Sequence, residues 1–71
     1  MKEYQEKYMF AVGELKALCK VINPKVVNVY YTKHDNGEEE VTISFANGYK
    51  KKANVTADSL KAMAIDVIGN I

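Results

Sequence analysis

The sequence predicts an α+β domain of order α-β-β-β-α, a three-stranded antiparallel meander with both helices on one face. Three observations predict it. Apolar residues recur at spacings of three and four at both ends of the chain, which is helical periodicity. Between them, three short runs alternate apolar and polar residues, as half-buried strands do. Two Asn-Gly pairs, Asn36-Gly37 and Asn47-Gly48, punctuate those runs.

The first helix is expected from Lys2 to Ile22. Tyr4, Tyr8, Ala11, Leu15, Leu18 and Ile22 form its core stripe, and Val12 and Cys19 widen it. Lys2, Glu3, Gln5, Glu6, Lys7, Glu14, Lys16 and Lys20 fall mostly on the other sides. Asn23-Pro24 ends the helix, because a residue before proline avoids helical angles.

In the first strand, Val27, Val29 and Tyr31 alternate with Asn28, Tyr30 and Thr32. In the second, Val41, Ile43 and Phe45 point one way and Glu40, Thr42 and Ser44 the other. In the third, Tyr49, Ala53 and Val55 share a face, with Lys51 as an exception, and Lys50, Lys52 and Asn54 face away. A loop Ala46-Asn47-Gly48 pairs Phe45 with Tyr49 and Val41 with Ala53. A loop Asp35-Asn36-Gly37 sets Tyr31 against Val41, Val29 against Ile43 and Val27 against Phe45. Loops of this length end on a residue with positive φ, which suits Gly48 and Gly37. The last helix is expected from Ala57 to Gly69, capped by Thr56. Its core stripe is Leu60, Met63, Ala64, Val67, Ile68 and Ile71.

Composition narrows the function. The 71 residues make one domain, 1–71, with 48% hydrophobic residues and a formal charge of +1. That balance opposes disorder, and no apolar run approaches a membrane span. One cysteine, Cys19, forbids an internal disulfide, and one histidine, His34, is too few for a structural zinc site. Neither a metal nor a cofactor is expected. A domain this small has a marginal core, so support from a second copy is expected. The charged start MKEYQEKYMF has no secretory apolar region, which predicts a cytoplasmic protein.

Four constellations remain. Phe10, Gly13, Ala17 and Val21, with Met9 beside them, make a second apolar side on the first helix. The reading is a homodimer or partner interface, with a homodimer expected; the competing reading is a helix buried on two sides. Asp35 with Glu38, Glu39 and Glu40 forms an acidic knot, and Tyr30 stands on the same open sheet face. Together they form a candidate partner-binding surface that offers a phosphate-like charge pattern; otherwise they are a solvated strand start balanced by lysines. Lys50, Lys51 and Lys52 are candidate phosphate contacts, although alternation splits them between faces. His34 beside Asp35 and Glu38 reads as a surface ion pair. No catalytic set accompanies it, so a non-enzymatic protein is expected.

The α-β-β-β-α order resembles a double-stranded-RNA-binding domain. That family opens its second helix with lysines; here it opens Thr56-Ala57-Asp58-Ser59. The family's minor-groove loop corresponds to His34-Asp35-Asn36-Gly37-Glu38, short and acidic. The resemblance therefore implies topology, with nucleic-acid binding through the three lysines as the alternative function. A second resemblance lies in Asn47-Gly48-Tyr49 and Asn54 to Leu60, which are similar to small hypothetical accessory proteins of Gram-positive phages and mobile elements. Some such accessory factors, the anti-CRISPR proteins among them, inhibit a host defence complex. This resemblance implies a protein-binding module whose partner is a host or phage protein.

Overall fold

A computed structural model describes the backbone of residues 2–71 and the side chains of residues 4–71. The side chains of Lys2 and Glu3, expected on the solvent side, lie outside the described residues. The chain runs through α1 (Lys2–Phe10), a π-helical turn (Ala11–Leu15), α2 (Lys16–Ile22), β1 (Val26–Lys33), β2 (Glu39–Phe45), β3 (Lys50–Asn54) and α3 (Leu60–Ile68). The strands form one antiparallel sheet in the order β1-β2-β3. The first helical rod packs across β1, and α3 packs against β3. One core joins both helices to the sheet: Ala11, Leu15 and Cys19 meet Val29, Tyr31, Val41, Ile43, Ala53, Met63 and Val67. The expected α-β-β-β-α meander is the observed fold.

The π turn explains how the first rod buries one straight line of residues. Lys7, Ala11, Leu15 and Cys19 are all buried and spaced by four. In a pure α-helix each residue turns about 100°, so every step of four overshoots by roughly 40° and the line would spiral away. The Lys16 amide donates to the Ala11 carbonyl, an i→i−5 bond that takes up the excess rotation. The buried line therefore stays on the sheet. Tyr4, Tyr8, Leu18 and Ile22, expected in the core stripe, are left substantially exposed. Phe10, expected on the second apolar side, packs partly against the core instead.

The loops obey their glycines. Gly37 has φ +92° and Gly48 φ +87°. In each hairpin the residue before the loop bonds the residue after it: His34 N–H to the Glu38 carbonyl at 2.7 Å, and Phe45 N–H to the Tyr49 carbonyl at 2.8 Å. Asn36 and Asn47 brace their loops by accepting from the amides of Glu38 and Tyr49. The register sets Tyr31 opposite Val41, Val29 opposite Ile43 and Val41 opposite Ala53, as the alternation requires.

Two local expectations are corrected. Val26, not Val27, pairs with Phe45, because a bulge shifts the register between Val26 and Asn28. Val26 is buried and Val27 is left 46% exposed. The last helix is capped by Ser59, whose Oγ accepts from the Ala62 amide at 3.2 Å, rather than by Thr56. Residues 55–58 form a turn closed by Asp58 N–H to the Val55 carbonyl, and Ala57 within it has φ +62°. A left-handed alanine cannot begin an α-helix, so the helix starts later.

Ser59→Ala is expected to cost about 1 kcal/mol through the lost cap, measured by urea unfolding. Ala57→Gly is expected to leave stability unchanged or raised by up to about 1 kcal/mol, since glycine accepts positive φ without the Cβ penalty.

Candidate functional site

The acidic knot does not stay together. Alternation in β2 turns Glu39 inward with Val41 and Ile43, while Glu38 and Glu40 stay on the solvent side. Glu39 is 7% exposed, so it is not available to a partner as the sequence reading had it. Its Oε1 accepts from Lys7 Nζ at 2.7 Å and from the Tyr31 hydroxyl. Its Oε2 accepts from the Ala57 amide at 2.9 Å. Its backbone N–H donates to Thr56 Oγ1 at 3.0 Å. Lys7, expected on the solvent side, is 5% exposed for the same reason. Tyr4 lies over Tyr31, ring centroids 5.5 Å apart, and Tyr8 stacks on Tyr4 at 6.2 Å.

Burial is the largest single influence on Glu39 and pushes its pKa up. The hydrogen bonds from Lys7, Tyr31 and Ala57, with the Lys7 charge, outweigh it and pull the value from 4.5 to about 2. Asp58, on the turn beside Ala57, moves the other way. It faces the Asp66 carboxyl, and a hydrogen bond between two carboxyls needs a proton; that pairing, then burial, raises its pKa. One Asp58 oxygen, Oδ2, is buried without a hydrogen-bond partner.

The rest of the predicted partner surface is thinner than the sequence implied. Glu40 Oε1 pairs with His34 Nε2 at 2.8 Å and with Lys52 Nζ at 3.7 Å. The His34 bond is the main cause that lowers the Glu40 pKa. His34 thus pairs across the hairpin with Glu40, not with Asp35. Glu38 accepts from Asn36 Nδ2, and it and Asp35 are exposed at the hairpin tip. Tyr30 is half-buried opposite Thr42, which is itself buried rather than open. Of the three lysines, Lys50 and Lys52 lie on the open face; Lys51 sits opposite Ile43 on the helix side. They make no continuous basic face. Burial raises the Cys19 pKa, which keeps that thiol protonated.

The outer side of the first rod is the larger feature. Met9 is 69% and Val21 79% exposed, and Gly13 and Ala17 between them are exposed too. Beside this line, Gln5, Glu6, Phe10, Glu14 and Leu60 border a groove toward the start of α3. Tyr4, Gln5 and Tyr8 border a second one on the other side of Met9. Among the described residues no three His, Cys, Asp or Glu side chains are grouped to hold a metal ion, and no helix is long and apolar enough to cross a membrane.

No protein-family profile, curated protein or solved structure matches the chain.

The sequence reading missed the Lys7–Glu39–Tyr31 cluster, although its signal was present. Glu39 has the parity of Val41 and Ile43, and Lys7 stands four residues before Ala11 on the buried line.

Lys7→Met should cost about 3–5 kcal/mol by leaving Glu39 buried and uncompensated, whereas Lys7→Met with Glu39→Leu should recover most of that loss in urea unfolding. Folding lowers the Glu39 pKa, so its contribution is complete above pH 4.5 and is lost as pH falls through about 2. Acid titration followed by circular dichroism should show this loss in the wild type and not in the Lys7→Met/Glu39→Leu chain. The raised pKa of Asp58 has the opposite sign: its ionised form opposes folding at neutral pH. Asp66→Asn removes the like charge and offers a donor, so it should raise stability at pH 7 in the same assay, with the gain shrinking as pH falls and Asp58 protonates.

Proposed function

We propose that this chain is a small non-enzymatic protein-binding module. The observation that carries the reading is the outer face of the first helical rod. The core closes without Met9, Gly13, Ala17 and Val21, yet these residues form a continuous apolar line in solvent. A line of this kind on a small charged domain is expected to meet another protein. Of the described groups with shifted titration, Glu39, Glu40 and Asp58 lie in contacts between segments of the fold and Cys19 is buried in the core. That supports a binding role over a catalytic one.

A second contact zone is the hairpin tip, where Asp35 and Glu38 are exposed, with Glu40 and Tyr30 behind it. In the more specific form of the proposal, a phage or mobile-element accessory protein inhibits a host defence complex. The tip would then meet a basic surface of that complex.

The test uses three baits on a nuclease-treated Gram-positive lysate, read by mass spectrometry: wild type, Met9→Asp with Val21→Asp, and Asp35→Lys with Glu38→Lys. A protein retained by the wild type and reduced at least about tenfold by one variant, with unchanged circular dichroism, supports the module and locates its surface. No protein retained by the wild type overturns it.

A further inference from the structure

We infer that the outer face of the first helical rod binds a second copy of this chain in a parallel, two-fold arrangement, with Gly13 and Ala17 at the axis. The inference rests on the reading of that face as a contact surface and names its occupant.

Three observations lead to it. The first is the shape of the face. The π turn that straightens the buried line of Lys7, Ala11, Leu15 and Cys19 also straightens the line two residues away, Met9, Gly13, Ala17 and Val21. Two residues is about 200° around a helix, so this line lies opposite the core. It is large at its ends and small in its middle.

The second is Gly13. Glycine inside a helix costs roughly 0.5–1 kcal/mol relative to alanine. No neighbouring element requires it: its φ is not positive, and a Cβ built there would meet nothing beyond its own helix within 4 Å. A neighbouring backbone approaching this point would require it.

The third is charge. Glu14 follows Gly13 of the outer line, and Glu6 lies on the same flank, four residues before the Phe10 that follows Met9; Lys16 and Lys20 each precede a residue of the line. One residue is about 100°, so the acids occupy one flank and the lysines the other. A two-fold axis across the rods would set like flanks together, glutamate on glutamate and lysine on lysine. A two-fold axis along the rods sets opposite flanks together, with Glu14 of each copy beside Lys16 of the other. The charge pattern therefore selects a parallel pair of identical chains, an isologous contact.

The test is the mass of the full chain by light scattering from about 1 to about 100 μM, with dissociation followed by dilution. A mass of twice 8.0 kDa is expected for the wild type. Gly13→Leu fills space that the monomer leaves open, so it should keep the circular dichroism and thermal stability while weakening association by about 100-fold. Glu14→Lys and Lys16→Glu should each weaken it about tenfold, and the two together should restore it to within about threefold. A wild type that stays monomeric at 100 μM overturns the inference. Single charge reversals that leave association unchanged overturn the parallel arrangement. A monomer whose Met9→Asp/Val21→Asp variant still loses a captured protein leaves the binding module standing with a different occupant; a monomer that captures nothing removes both.

Discussion

Four segments of the fold meet at one buried ion pair. Glu39 opens β2, and its carboxylate takes hydrogen bonds from Lys7 on α1, Tyr31 on β1 and Ala57 in the turn before α3. Every layer of the domain is thus tied to one side chain. Such burial costs several kcal/mol per ion unless the geometry is good and the remaining lone pairs are satisfied. Here three donors converge on two oxygens, and the pKa falls in spite of burial, so the hydrogen bonds exceed the cost of desolvation. A hydrophobic pair in the same place would hold the helix to the sheet. It would not hold the Ala57 turn, whose left-handed backbone is secured by the Glu39 carboxylate and by Thr56 on the Glu39 backbone.

That anchor sets a condition on the helix above it. Lys7 must reach Glu39 at one end of the rod while Leu15 and Cys19 stay on the sheet toward the other. An ideal α-helix cannot keep residues spaced by four on one face over that length. The π turn at Ala11–Leu15 resolves the conflict. The same correction acts on both sides of the rod. Straightening the buried line also straightens the exposed one, and an irregularity required by the core thereby prepares a flat outer surface.

Much of this was legible in the residues. Order, strand register and the glycine positions followed from period-two alternation and from loops that need positive φ. Three things were not, each for a physical reason. The bulge at Val26 and Asn28 is a one-residue shift that leaves Val26 and Val27 equally plausible as core residues by type. The start of α3 depended on a hydroxyl with two potential uses. Thr56 resembles a cap, but Glu39 takes its hydroxyl and Ser59 becomes the cap. The acidic knot was read as a charge run, a property of composition, whereas alternation divides it side chain by side chain. The lysine run Lys50–Lys52 is divided by the same rule, with Lys51 turned toward the helices.

This division bears on where function resides. A charged cluster attracts a partner in proportion to the charge left over after pairing within the chain. Glu39 is consumed by Lys7, and Glu40 is shared between His34 and Lys52. Asp35 and Glu38 remain, exposed and fully screened by solvent, and exposed charges of that kind contribute little apiece. Lys52 is similarly reduced by Glu40, Lys50 sits opposite Ser44 and Lys51 is turned to the other face, so neither run builds a strong field. The apolar outer line of the first rod loses nothing in this way. Met9 and Val21 are left largely exposed by the fold, and each would bring the gain of burial to whatever covers it. By that comparison the helix face, not the charged sheet, is the surface on which binding energy is concentrated, and the charges at its flanks set orientation more than strength.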